Sequence, residues 1–179
     1  MRIKLTGKPN VINHIEKVTK KALEIGKKLK EKGFDVDLEL LEIGSYLHDI
    51  GRSVTHGVSH GVESSKILRR MEFPDSVINL VERHVGAGIT TEEAVKLGLP
   101  RRNFIPETLE EKILSYADKF LESELVFKTI NGEQIVERND VEYDSIEPTL
   151  KRFRKKFGSK SPIVLRLEML RNEMENLIN

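Results

Sequence analysis

Five histidines occur in this 179-residue chain, all in its first half: His14, His48, His56, His60 and His84. His48 runs directly into Asp49 within Leu47-His48-Asp49-Ile50-Gly51, and a further carboxylate, Asp118, stands in Ser115-Tyr116-Ala117-Asp118-Lys119. Helical spacing turns most of them inward. His48 lies one turn after Gly44 on the most apolar segment, and His84 follows Leu80 and Val81 by four and three residues. Asp118 follows Leu114 by four, and His14 falls near the edge of a buried stripe. A carboxylate among apolar residues is costly unless it is paired or bound to a metal. Each histidine alone reads as an ordinary core or surface residue. Several inward histidines and two aspartates on different helices are hard to satisfy separately, whereas a shared divalent cation satisfies them together. Adjacent helical residues point about 100° apart. His48 and Asp49 can therefore grip one ion only if it sits close over the helix, an approach that the small residues Gly44 and Gly51 would help.

Composition narrows the alternatives. Without cysteine there are no disulfides, thiolate zinc sites, Fe–S clusters or cysteine nucleophiles. Lys and Arg number 30 against 29 Asp and Glu, so the net charge of +1 gives no global attraction to nucleic acid or membrane. No apolar run approaches the roughly 18 residues of a membrane span, and the start, Met1-Arg2-Ile3-Lys4-Leu5-Thr6-Gly7-Lys8, lacks a signal peptide's apolar stretch. The expectation is a soluble, cytoplasmic protein. Abundant Lys, Arg and Glu with a single Gln, Gln134, give the composition a thermophile-like cast.

The elements that must position these residues read as helical almost throughout. An amphipathic helix is expected over 10–31, with Ile12, Ile15, Thr19, Ala22, Leu23, Gly26 and Leu29 on one face and Gly33 at its end. The apolar helix 37–50 follows, capped by Asp35 or Asp37 and ended by Gly51. After a loop over 51–59, a helix over 59–72 has Val62, Ile67, Leu68 and Met71 inward, and another runs from a first turn at Pro74 to His84. Gly86-Ala87-Gly88 breaks the pattern, and capping boxes at Thr90/Glu93 and Thr108/Glu111 open two more helices, the second reaching about Leu125. Around Asn131-Gly132 the pattern fits a small hairpin near 126–138 or equally a mobile loop. Two helices close the chain, one with Ile146, Leu150, Phe153 and Phe157 on a face, the other opening at Ser161-Pro162. The fold class is all-α, with a helical extension over about 126–179 that packs on the core or mediates dimerisation.

His14, His48-Asp49 and Asp118 match the H…HD…D signature of HD-domain metal-dependent phosphohydrolases, a resemblance covering roughly residues 10–125. The surrounding stretches, His56-Gly57-Val58-Ser59-His60-Gly61-Val62-Glu63 and Arg83-His84-Val85-Gly86-Ala87-Gly88-Ile89-Thr90, are most similar to a branch of small archaeal HD proteins. The resemblance implies an HD-domain helical bundle, residues 1–179 forming one domain. It implies one or two divalent metals per chain. His14, His48, Asp49 and Asp118 would hold the first, Asp49 would bridge, and His60 and His84 would hold the second. His56 would replace His60 or act on substrate. Histidine and carboxylate ligands suit Fe, Mn, Zn, Co or Ni, with Mg less favoured.

Such ions supply hydroxide from bound water and clamp a phosphoryl oxygen. The implied function is a hydrolase cleaving a phosphate ester or anhydride of a small molecule, foremost a nucleotide, by metal-activated water. Nucleotidase, phosphodiesterase and dinucleoside-polyphosphate hydrolase activities fit alike. The other readings are a di-iron oxygenase of the same fold and a non-catalytic nucleotide sensor. No nucleic-acid or membrane partner is expected, and a homodimer is left open. There is no Walker A loop, dinucleotide fingerprint or HExxH, so side chains must help hold the phosphate. Arg52 leads, followed by Lys119, Arg101 and Arg102; Asp49, Arg52 and Lys119 are the expected catalytic group. Gly86 and Gly88 either let substrate approach the backbone or simply end a helix, and Glu63 either orients His60 or sits on the surface. The basic run 151–156 is read first as a solvated helix face, with phosphate binding as its rival.

Overall fold

The computed structural model describes the backbone of residues 4–5, 8–130 and 133–179, and the side-chain surroundings of residues 11–122 and 140–179. Eight helices form the body: α1 (Lys8–Glu31), α2 (Leu38–Leu47), α3 (His60–Arg70), α4 (Asp75–Glu82), α5 (Thr91–Lys96), α6 (Leu109–Ala117), α7 (Glu147–Phe157) and α8 (Pro162–Ile178). Short 3₁₀ turns at Ile50–Ser53 and Asp118–Phe120 follow α2 and α6. Strands β1 (Lys4–Leu5), β2 (Leu121–Ile130) and β3 (Glu133–Glu142) make a small sheet of order β1-β3-β2. None of the helices among the described residues is long and apolar enough to cross a membrane.

Local chemistry sets most helix starts as expected. The Asp37 carboxylate accepts from the Leu40 amide at 2.9 Å, both capping boxes are formed, and Pro162 opens α8 behind Ser161. Gly33 ends α1 at φ 92°. Pro74 instead stands one residue before α4, in extended conformation. On α1 the buried stripe is His14, Val18, Ala22, Ile25 and Leu29. Ile12, expected on it, is 60% exposed, because it lies two residues, about 200°, from His14. Met71 also faces solvent.

The largest departure follows α6. The helix expected to reach Leu125 stops at Ala117, and from Leu121 the chain pairs antiparallel with β3, in register from Leu121↔Glu142 to Ile130↔Glu133. Val126, Phe127, Thr129 and Ile130 favour a strand over a further helical turn. The hairpin is longer than the expected 126–138, and its turn, Asn131-Gly132, lies outside the described residues.

One core joins the two ends of the chain. Val18, Leu29, Leu41, Leu80 and Leu114 share a buried cluster with Ile146, Leu150, Leu167 and Met174, so α7 and α8 pack into the same core as α1, α2 and α6. Phe153 is half-buried and Phe157 is exposed. Helices α2 and α4 meet at Gly44, where a Cβ would stand 2.0 Å from Leu80 Cδ2. Gly44→Ala should therefore destabilise the fold by about 1–3 kcal/mol through overpacking. In a Leu80→Ala background the same change should cost less, as a double-mutant cycle of denaturant unfolding would show.

Candidate metal centre

The inward histidines and aspartates meet at one end of the bundle, mostly where helices stop or start. His48 is the C-cap of α2, and Asp49 has already left the helix at φ −101°, ψ 10°. The expected helix to residue 50 thus ends at the His-Asp pair, and this break lets two adjacent residues converge. His60 opens α3, His84 lies just beyond the end of α4, and Asp118 caps α6. Only His14 comes from within a helix. Gly44 and Gly51 serve packing, Gly44 against Leu80 and Gly51 against the His60 carbonyl and Ser64.

Three histidines are aimed by the same device. His48 Nδ1 donates to Ser45 O at 2.6 Å, His60 Nδ1 to Gly57 O at 2.8 Å, and His84 Nδ1 to Val81 O at 2.6 Å. A carbonyl only accepts, so Nδ1 carries the proton and Nε2 presents a lone pair to the centre. These nitrogens divide the two oxygens of Asp49 between them. His14 and His48 Nε2 lie 3.7 and 3.8 Å from Oδ2, whereas His60 and His84 Nε2 lie 3.4 and 3.7 Å from Oδ1. Asp118 Oδ1 stands 3.3 Å from His14 Nε2 and 4.0 Å from His48 Nε2. His14, His48 and Asp49 form one group able to hold a metal ion, and Asp49, His60 and His84 form another.

The donors fit divalent ions. His14 Nε2, His48 Nε2 and Asp49 Oδ1 are buried without a hydrogen bond, a costly state for polar atoms unless a ligand meets them. His60 and His84 Nε2 face each other at 3.0 Å; with both protons on Nδ1, two lone pairs oppose, and a shared cation relieves the repulsion. Imidazole and carboxylate suit first-row transition metals.

Burial, reinforced by neighbouring imidazoles, pushes His48 down to about 4 and His60 to about 3, so both are neutral at pH 7, the form in which an imidazole can bind a metal. Burial opposes ionisation of Asp49, but His48, His84 and Arg52 outweigh it and hold the carboxyl well below its ordinary value. Burial opposes Asp118 likewise, and Lys119, His14 and His48 overcome it.

A cleft of about 190 Å³ opens over the centre, with His60, His84 and Asp118 in its floor and Arg52, Lys119 and Arg152 around it. Arg52 Nε donates to Asp49 Oδ2 at 2.6 Å, and Lys119 Nζ lies 2.5 Å from Asp118 Oδ2. A larger hollow of about 390 Å³ between α1, α6 and α8 contains none of these residues.

Other expected residues lie elsewhere. His56 is exposed on the loop before α3. Glu63 pairs with Lys66 at 2.7 Å and does not orient His60, whose Nδ1 is taken by Gly57. Arg101 is exposed, and Arg102 is held by buried Glu82, which also accepts from Ser65 at 2.6 Å. Gly86 lines the cleft, but Gly88 packs where a Cβ would meet Ile105 Cα at 2.6 Å. Of the basic run, only Arg152 and its neighbour Phe153 line the cleft; Arg154 pairs with Glu147 and Glu168. Asp140 on β3, which sequence reasoning did not single out, faces His14 Nδ1 at 3.8 Å with a fully buried side chain. An Asp within a strand-like stretch was the only signal for it.

Residues 11–122 match the HD domain family model. The chain therefore belongs to the HD domain family, the family that its motif resembles. It is 43% identical over 169 residues to the uncharacterized protein MJ0778 of Methanocaldococcus jannaschii, covering 94% of this chain and 90% of the relative. It is 42% identical over 127 residues to the tRNA (cytidine(56)-2'-O)-methyltransferase of Thermoplasma volcanium, covering 71% of this chain but 35% of that protein. The HD domain of the L. monocytogenes phosphodiesterase PgpH shares the fold, with a TM-score of 0.51 over 96% of this chain and 92% of that one, at 14% identity.

The histidine shifts predict how metal-free protein responds to acid. Below the ordinary value of 6.5 the unfolded chain binds protons that native His48 and His60 refuse, so stability falls as pH drops from about 6.5 towards 4 and 3. The carboxylates, depressed below 3.8, add their loss only beneath that pH. Urea unfolding of chelator-treated protein should give a lower midpoint at pH 5 than at pH 7.5; equal midpoints would contradict the assignment.

Proposed function

We propose that the chain is a dinuclear metal-dependent phosphohydrolase acting on a phosphate ester or anhydride of a nucleotide. The observation that carries this reading is the division of Asp49, one oxygen facing His14 and His48 and the other facing His60 and His84. His14, His48, Asp49 and Asp118 would hold the first ion and His60 and His84 the second, with Asp49 shared between them. When bound, the ions acidify a water molecule to serve as nucleophile and neutralise charge on the phosphoryl group.

The remaining chemistry belongs to side chains. Arg52 uses Nε on Asp49 and keeps its other N–H donors for phosphoryl oxygens. Lys119, 5% exposed and paired with Asp118, adds positive charge at the inner edge of the cleft. Ligand pockets usually measure about 300–1,000 Å³. A 190 Å³ cleft thus encloses a phosphoryl group while the rest of the substrate lies at its mouth. All 179 residues act as one domain, because α7 supplies part of the cleft wall and shares the core. The match to a tRNA-modifying enzyme adds short oligoribonucleotides to the substrates worth testing.

Metal analysis followed by an anaerobic panel of nucleotides and phosphodiesters, with Mn or Co restored, tests the reading. Two ions per chain and phosphate release are expected. Consumption of O₂ with iron would favour an oxygenase, and nucleotide binding without turnover a sensor. His48→Ala and Asp49→Ala should lose metal and activity while the helical circular dichroism persists; full metal content in both would sink the ligand assignment. Arg52→Ala should keep its metal and lower kcat/KM about 100- to 1000-fold.

A further inference from the structure

His14 differs from the other three histidines in how its ring can be aimed. Those three donate Nδ1–H to a carbonyl three residues back, at helix ends or in the turn before α3, where carbonyls are not all claimed by a following helical turn. His14 lies inside α1. There the carbonyl three residues back, that of Val11, accepts from the Ile15 amide in the helix. Its Nδ1 is buried without a hydrogen bond, and the carboxylate facing it is Asp140 Oδ1, 3.8 Å away. Asp140 comes from β3, which packs on α1, and it lies beyond the 11–122 segment shared with the HD family model.

We propose that Asp140 is a positioning residue for His14. Its carboxylate, 3.8 Å from Nδ1, closes to hydrogen-bond distance by a small side-chain adjustment, takes the place of the missing backbone acceptor, holds the proton on Nδ1, and leaves the Nε2 lone pair directed at Asp49 and Asp118. The hairpin outside the matched family segment thereby becomes part of the metal centre. A carboxylate behind a ligating histidine fixes the tautomer and raises ligand basicity, and its loss typically weakens metal affinity about 10- to 100-fold. This inference rests on the metal-binding reading above for its consequence, and on the side-chain arrangement alone for the tautomer.

Two measurements on the full chain test it. In metal-free protein, ¹H–¹⁵N spectra of the imidazoles should show His14 protonated on Nδ1 in wild type and in Asp140→Asn, whose amide oxygen still accepts, and a mixture of tautomers in Asp140→Ala. Mn²⁺ titration against a competing chelator should show affinity at one of two sites reduced about 10- to 100-fold in Asp140→Ala and largely restored in Asp140→Asn, with the other site unchanged. An unaltered His14 tautomer in Asp140→Ala overturns the proposal. So does unchanged Mn²⁺ affinity in that variant beside a wild type that binds, or an equal loss in Asp140→Asn and Asp140→Ala. A wild type that takes up no Mn²⁺ overturns the metal reading, and the tautomer measurement then decides the role of Asp140 by itself.

Discussion

A carboxylate buried among imidazoles, Asp49, is the constraint on which the arrangement of helix ends depends. Both oxygens are out of water, and each faces two imidazole nitrogens. An anion in that position must be compensated, because its desolvation costs several kcal/mol. Arg52 meets it on one oxygen, and His48, His60 and His84 turn Nε2 lone pairs rather than protons towards it. The site is therefore built for cations, and the protein without them carries opposed donors at its centre.

The surrounding packing keeps that arrangement in place. Gly51 allows the turn after Asp49 to lie against α3, where its amide donates to Ser64 Oγ at 2.8 Å and Ser64 Oγ donates to the His48 carbonyl. Behind His84, Arg83 pairs with Glu111 at 3.0 Å, and Glu82 is tied to Ser65 and Arg102. These contacts are buried or half-buried and join α3, α4 and α6 close to the ligands. The centre is thus braced by polar contacts between helix ends as well as by the apolar core beneath it.

The C-terminal segment does more than cover the core. Strand β3 places Asp140 against His14, and α7 places Arg152 at the mouth of the cleft, where its guanidinium lies over Phe153 and pairs with Glu122 at 2.7 Å. The segment beyond the family's matched residues thus lines part of the cleft over the centre.

The helical class, the two capping boxes, the core face of α4 and the gathering of His14, His48, Asp49, His60, His84 and Asp118 were legible in the sequence. Their signals are local: hydrophobic period, cap residues, and polar groups on apolar faces that demand a common partner. Three features were decided by tertiary structure. The end of α6 yields to a strand because β3 offers ten residues of pairing, which no window around Leu121 contains. Arg102 goes to the buried carboxylate of Glu82, twenty positions back on α4, rather than to the cleft. Asp140 reaches His14 across 126 positions of chain. Spacing along a helix reveals which residues share a face, but which residue of a distant strand meets that face depends on how the whole chain packs.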